Sequence, residues 1–326
     1  GCWRTRDRRA AGNNGQGDSA AMITPLPQLR ETVQARARHA LACGALRPIE
    51  TEQRFIDDGG IRFVIRMVSS LREKAERQAQ NFAAALQSGR QHNPFLPYDE
   101  DLFVARLAPA HVCLLNKFNV IDHHLLIVTS AYEDQEMLLT ERDFAALKVC
   151  LDALGGLGFY NGGSCAGASQ PHKHLQLIPL PIADEGPEIP IAPLLTAVGN
   201  DGPTALPGLP FRHAFARLGA DHAGTSSTGI GTWATAANAL YRRALAATGI
   251  GAVACAGGER QGAPYNFLMT HAWMLIVPRT REVFEGISVN ALGFAGSLFV
   301  RDARELAILE RAGPMAALRQ VGVSDS

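Results

Sequence analysis

Apolar positions along the chain switch between two periods, and the switches mark its elements. Residues 23–50 carry Leu29, Val33 and Leu41 among many alanines, which predicts a helix. The Asp-Asp-Gly-Gly run at 57–60 is a turn signal. After it, Ile61, Phe63, Ile65 and Met67 alternate with Arg62 and Arg66, as on a half-buried strand. Residues 71–88 read as a second helix ending at Gly89. A turn or extended entry at 93–97 then leads to short apolar runs at 102–107, 111–118 and 124–129, whose brief connections favour an antiparallel meander. Thr140 with Asp143 resembles a capping box, and Phe144, Leu147, Leu151 and Leu154 keep helical spacing until Gly155-Gly156. A strand at 159–161, a loop at 162–169 and a strand at 170–178 follow. The Pro-dense stretch 179–210 reads as a linker between two halves, with domains expected at 22–190 and 191–326. Beyond it, Trp233, Ala237, Leu240, Tyr241 and Leu245 fit a helix, and 266–269 and 273–277 fit strands. Asp302 with Glu305 caps a last helix that stops at Gly313-Pro314. Strands that bunch, with helices between and after them, give an α+β plan on antiparallel sheet.

Composition adds exclusions. The 326 residues are 47% hydrophobic and 19% charged, with a formal net charge of zero. That supports a substantial core. It offers no basic run interleaved with aromatics, so no nucleic-acid polymer is expected as partner. No apolar run reaches the ~18 residues of a membrane span, so no membrane partner is expected either. Cys2, Cys43, Cys113, Cys150, Cys165 and Cys255 are scattered without a C-x-x-C pair, which suits thiols in a reducing, cytoplasmic setting. The polar first 21 residues are expected to lie outside the fold as a disordered or non-native extension. Among the 31 Lys and Arg residues only Lys74, Lys117, Lys148 and Lys173 are lysines, so each is a candidate for a placed ammonium.

The chemistry concentrates at 161–176, Asn-Gly-Gly-Ser-Cys-Ala-Gly-Ala-Ser-Gln-Pro-His-Lys-His-Leu-Gln. On a strand, His172, His174 and Gln176 share one face, and Lys173, Leu175 and Leu177 the other. Three polar groups in register are costly on an apolar strand unless they are paired or used. The glycines upstream allow backbone N–H groups to approach phosphate oxygens. Three readings are open. The imidazoles could form a satisfied structural pair, or share a metal ion with a distant third ligand such as His111, His124 or His271. Or one could act as a nucleophile, oriented by the other, with Gln176 holding phosphoryl oxygens. The adjoining glycine-rich loop favours the nucleophile.

Residues 169–176 resemble the signature of the ATP adenylyltransferases, or diadenosine tetraphosphate phosphorylases, in the histidine-triad-like (HIT-like) superfamily. The galactose-1-phosphate uridylyltransferases belong there too. Both carry H-x-H-x-Q where histidine-triad hydrolases carry H-x-H-x-H. Segments 93–97, 115–118, 124–129, 160–162 and 266–279 resemble family segments in the same order, covering roughly residues 50–320. The resemblance implies a HIT-like α+β fold of two fused halves, the second an ATP adenylyltransferase domain, and two fused halves are compatible with a monomer while leaving the oligomeric state open. It implies His174 as nucleophile, His172 as its orienting partner and Gln176 on the α-phosphate. It also implies substrate contacts at Lys74, Asn116, Lys117, Asn161, Gly167, Ala168, Ser169, Gln170, Met274 and Arg279. The implied partners are dinucleoside polyphosphates, ATP, ADP and inorganic phosphate, with Mg2+ or another divalent ion carried by the polyphosphate. No metal held by the protein, and no structural zinc, is expected. The alternatives are a related nucleotidyltransferase acting on a sugar phosphate, and a nucleotide-binding protein without turnover. Beside these roles stand plainer expectations. Lys173 is expected to be exposed on the far side of the strand, and His123 and His124 to shape a turn and strand edge. Trp233 and Trp273 are expected in the core or at an interface.

Overall fold

The computed structural model describes residues 26–68, 93–107, 110–196, 199, 202–219 and 229–325. The helix expected at 71–88, Lys74 within it and the polar first segment lie outside the described residues. The first half contains helix α1 (Leu26–Ala42), strands β1 (Glu52–Asp58) and β2 (Ile61–Met67), and the meander β3 (Phe103–Leu107), β4 (His111–Leu115) and β5 (Leu125–Thr129). Helix α2 (Glu141–Leu154) then leads to β6 (Leu157–Gly162) and β7 (His174–Ile178). After a short helix α3 (Ala192–Leu195) come β8 (Ala214–Arg217), α4 (Ile230–Ala247), the hairpin β9 (Ala252–Cys255) and β10 (Gly258–Gln261), and β11 (Tyr265–Met269) with β12 (Trp273–Pro278). A small hairpin, β13 (Val283–Phe284) and β14 (Ile287–Ser288), precedes α5 (Ala291–Phe294) and β15 (Ser297–Val300). Helices α6 (Ala303–Ala312) and α7 (Pro314–Val321) close the chain.

An eight-stranded antiparallel sheet in the order β3-β4-β5-β7-β6-β11-β12-β8 is the centre of the molecule. Strand β6 pairs with β11 from Tyr265↔Gly162 to Met269↔Gly158, so residues a hundred positions apart are neighbours. The two sequence halves therefore share one sheet. On one face, α1, α2 and α4 bury Val33, Phe144, Leu147, Trp233 and Tyr241 against Leu175, Leu177 and Phe267. On the other, a three-stranded sheet β1-β2-β15 and the C-terminal helices cover Phe159, Ile178, Leu268 and Leu275. Strands β15 and β2 pair in parallel, unlike the rest. They come from opposite ends of the chain, so no short connection dictates their direction.

Several expectations need correction. Helix α1 stops at Ala42, where Gly44 takes a positive φ of 78° and the chain reverses. The final helix does stop at Gly313, but Pro314 opens another, because proline is well suited to a first helical position. The stretch 179–210 is no loose linker: Ile182, Ile189, Ile191, Leu206 and Leu209 are buried in the core of the second face. Its prolines shape a packed, irregular path.

Lys173 departs furthest from expectation. It faces away from the histidines as the alternation requires, yet it is fully buried. Its Nζ donates to Asp143 Oδ2 at 2.7 Å, to the Leu138 carbonyl at 3.0 Å and to Glu133 Oε2 at 3.3 Å. The Asp143 carboxylate also accepts from Thr140 N–H at the start of α2 and lies 2.9 Å from His111 Nε2 on β4. Burial pushes the Asp143 carboxyl up, but Lys173 and His111 outweigh it and hold it well below the usual range. Trp233 and Trp273 are core residues, as expected.

Lys173→Met should leave the Asp143 carboxylate buried without its cation and lower the unfolding free energy by about 3–5 kcal/mol. Adding Asp143→Asn should recover part of that loss, as read by urea denaturation. Because the folded-state pKa of Asp143 is depressed, its contribution is complete above the ordinary carboxyl value of ~3.9 and is lost as pH falls below it. An equal loss at pH 7 in the single and double variants would show that charge pairing is not the cause.

Candidate active site

The site is built on β7, where alternation turns His174, Gln176 and Ile178 to one face. The strand begins at His174, and His172 belongs to an isolated bridge with Asp134. Residues 133–137 lie over this entrance: Lys173 N–H donates to the Glu133 carbonyl and Gln135 N–H to that of Pro171, both at 2.8 Å. The ladder between β6 and β7 ends at Phe159↔Gln176. Beyond that point the buried Gln135 amide takes its place. Its Oε1 accepts His174 N–H at 2.8 Å, and its Nε2 donates to the Asn161 carbonyl at 2.9 Å and the His174 carbonyl at 3.2 Å. The main chain on both sides of the nucleophile candidate is thereby satisfied.

The two histidines carry opposite tautomers. His174 Nδ1 lies 2.8 Å from the His172 carbonyl, which can only accept, so Nδ1 bears the proton and Nε2 the lone pair. His172 Nε2 lies 2.9 Å from the Thr129 carbonyl and is therefore protonated, leaving Nδ1 to accept from Asn93 Nδ2 at 3.0 Å. His172 thus orients His174 through its backbone oxygen, and both of its own ring nitrogens are engaged. That disfavours a metal shared by the pair. Phe95 packs on both rings, with centroids 5.7 and 5.3 Å away, so the 93–97 segment forms a wall of the site. Burial pushes His174 down to about 4, against a smaller opposing effect of the His172 carbonyl, and keeps the ring neutral near pH 7. Burial also lowers His172.

Gln176 is held through His124, which therefore does more than shape a strand edge. Asn116 Oδ1 accepts from Phe118 N–H, which directs Nδ2 to His124 Nδ1 at 3.1 Å. His124 Nε2–H then donates to Gln176 Oε1 at 2.9 Å. This fixes the flip of the Gln176 amide and makes its NH2 the end available to a ligand. His123 occupies a turn with φ 57°. Lys117 follows Asn116 and sits 3.6 Å from Asp99 Oδ2, partly exposed.

The glycine-rich loop differs from the expected phosphate cradle. The N–H groups of Ala166, Gly167 and Ala168 are spent on the carbonyls of Gly163 and Ser164. Gly163 and Gly167 both take φ 87°, the positive region that glycine tolerates. Ser164 and Ser169 are exposed, and Gln170 is partly so. Under the loop, Asn161 Oδ1 accepts from Asn266 Nδ2 at 2.8 Å and from Ala291 N–H at 2.9 Å. Asn266 also holds the Ala166 carbonyl at 2.8 Å. Arg279 is buried, bonded to Asn266 Oδ1 and to the carbonyls of Val321, Arg281 and Glu282. Burial lowers it to about 10, so it remains a cation beneath the loop. Asn161 and Arg279 are thus brought to the site as its scaffold. Met274 is not: it is buried with Leu175 and Leu177 on the helix-covered face, across the sheet from His174. From the sequence alone Gln135, Asn93, Asn266 and Ala291 had no assigned role, and His124 only that of a strand-edge residue or a distant metal ligand. Side-chain type hints at the polar ones, whereas Ala291 acts through its backbone N–H, and each partner comes from a distant segment.

Comparison with known proteins places the chain in a family. Residues 20–197 match the Ap4A phosphorylase N-terminal domain family, and residues 207–324 the ATP adenylyltransferase C-terminal domain family. The chain is 38% identical over 103 residues to diadenosine 5',5'''-P1,P4-tetraphosphate phosphorylase 2 of Saccharomyces cerevisiae, covering 27% of this chain and 32% of that protein. It is 31% identical over 163 residues to protein APA1 of the same yeast, covering 46% and 48%. The chain thus spans less than half the length of these curated relatives. The fold is that of the crystal structure of yeast Ap4A phosphorylase Apa2, with TM-score 0.72 and 24% identity, covering 94% of this chain and 100% of that one. The same enzyme in complex with Ap4A superposes with TM-score 0.70.

Imidazole NMR should find His174 neutral, with Nδ1 protonated and Nε2 bare, from about pH 8 down to about pH 5, where an ordinary histidine has gained its second proton. Titration of His174 near the ordinary value would contradict the buried, carbonyl-held geometry.

Proposed function

This chain belongs to the Ap4A phosphorylase family, and on that premise we propose that it cleaves diadenosine tetraphosphate with inorganic phosphate to ATP and ADP, passing AMP through His174 Nε2. The observation that carries the proposal is the tautomer. His174 Nδ1–H donates to the His172 carbonyl, so a neutral imidazole presents its lone pair on Nε2 without any base to activate it.

In the first step Nε2 attacks the α-phosphorus, the bond from that phosphorus to its bridging oxygen breaks, and ATP leaves. The imidazole becomes a cation bonded to AMP. Its Nδ1–H stays on the His172 carbonyl, whose negative end stabilises the charge that develops. In the second step a phosphate oxygen attacks the same phosphorus, the P–N bond breaks and ADP leaves. The reverse direction makes the dinucleotide and phosphate from ATP and ADP. Gln176, with its oxygen taken by His124, donates its NH2 to the nonbridging oxygens. It cannot titrate, which suits polyphosphate leaving groups that need no proton. Ser169 and Gln170, on the loop's exposed side, and the ammonium of Lys117 complete the phosphate contacts.

Among the described residues, His174 meets the His172 carbonyl, the Phe95 ring and the Gln135 amide. A divalent ion such as Mg2+ would arrive with the polyphosphate as part of the substrate. Both halves of one chain contribute to the site, since Asn161 of the first half is held by Asn266 and Ala291 of the second. That supports a working monomer.

Labelled diadenosine tetraphosphate mixed with the enzyme and quenched in base should leave AMP on His174, as an acid-labile, base-stable phosphoramidate. Phosphate added before the quench should discharge it as ADP. His174→Ala should abolish turnover while remaining folded, and His174→Gly should regain some turnover with added imidazole. Two displacements should retain configuration at the α-phosphorus. Inversion, with no labelled peptide, would mean direct attack by the acceptor and would remove the covalent route.

A further inference from the structure

On the far side of α1 lies a second convergence of chemically able groups that the phosphoryl chemistry does not use. Among the described residues, His39, Cys43 and Asp101 form the one trio of His, Cys, Asp or Glu whose ligand atoms all lie within 4.8 Å of one another. We propose that they bind a divalent transition-metal ion of the zinc type.

The argument begins with the backbone. Cys43 N–H donates to the His39 carbonyl at 3.0 Å, so the helical path continues one residue beyond Ala42. His39 and Cys43 are then i and i+4 on one face, stacked over each other. Asp101 comes from the 3-10 turn Glu100–Leu102. The turn is fixed from both sides: the Asp99 side chain accepts from Asp101 N–H at 3.2 Å, and Leu102 is buried in the same core as Leu29 and Val33 of α1. The carboxylate is thereby held against the helix, with Oδ1 2.8 Å from His39 Nε2.

A tetrahedral ion with bonds of about 2.0–2.3 Å keeps its ligands about 3.3–3.8 Å apart. The trio is within side-chain adjustment of that spacing, the ion entering where the His39–Asp101 hydrogen bond now lies. Imidazole, thiolate and carboxylate are the donors that zinc, cobalt and their neighbours take, and thiolate is not a magnesium ligand. The site is thus chemically separate from the ion that travels with the nucleotide. Two anionic ligands balance the dication, and the C-terminal end of α1 adds the negative pole of the helix dipole. Arg36 also neighbours Asp101, and its charge opposes the ion. His39 and Asp101 are each 51% exposed, so the fourth position opens to water and the ion exchanges freely. An occupied site would tie the end of α1 to the turn whose Asp99 is the partner of Lys117.

The full chain, freed of metal with a chelator, should develop a thiolate-to-cobalt charge-transfer band and tetrahedral visible bands on addition of one equivalent of Co2+. Zn2+ should displace the cobalt and raise Tm, since an ion that binds only the folded state stabilises it. Cys43→Ser should abolish the charge-transfer band and the Tm shift. His39→Gln and Asp101→Asn should each weaken Co2+ binding on the order of tenfold or more. Cys165→Ser and Cys255→Ser, at the other exposed thiols, should leave the band intact. All these residues are at the surface, so the variants remain folded, which circular dichroism checks. A band that is absent from the parent protein, or that persists in Cys43→Ser, would overturn the proposal.

Discussion

One buried carboxylate fixes the frame in which everything else operates. Asp143 receives the first turn of α2 through Thr140, stands against His111 on β4, and takes the ammonium of Lys173. Three separately coded elements thus meet at two oxygens. Lys173 lies between the two histidines in sequence, so its tether sets the height of the segment that enters β7. A buried ion pair adds little net stability over an apolar substitute, but it is strict about geometry. Here that strictness serves His174, whose ring is held with one nitrogen in one direction.

On that frame, main-chain groups and amides do the positioning. The His172 carbonyl decides the tautomer of His174, the Gln135 amide replaces a missing length of sheet ladder, and Asn116 with His124 decides which end of Gln176 faces outward. None of these groups needs to change protonation state. The buried cations Lys173 and Arg279 are paired or wrapped in carbonyls. The reacting face is left neutral and receptive to an anion.

The sequence made part of this legible. Period-two spacing placed His172, His174 and Gln176 on one face and Lys173 on the other, because alternation is a property of the backbone. It could not say that the other face was covered by helices, so Lys173 was expected in solvent. The same blindness affected Met274. All six residues of β12 are buried, so no polar position marks which side faces which core. The Thr140–Asp143 cap was visible because its parts are local. Asn93, Gln135, His124 and Asn266 were not, because each acts on a residue reached only through the fold. The Pro-dense stretch misled for a different reason: proline reports an irregular backbone, not a loose one, and Ile182 to Leu209 supply enough apolar surface to pack it.

The shared sheet has a consequence for how the chain is made. Strand β6 lies between β7 and β11, and its six residues are all buried in the finished molecule. While the polypeptide emerges from the ribosome, the first half can form β3 to β7, yet one side of β6 stays unpaired until residues 265–269 have been synthesised. For that interval an apolar strand with open hydrogen-bonding groups faces the cell, the kind of edge that recruits other chains. His174, one strand away, is therefore translated well before its surroundings can be completed. Shielding of the nascent edge, by chaperones or by fast arrival of β11 and β12, becomes a requirement for yield of the active protein.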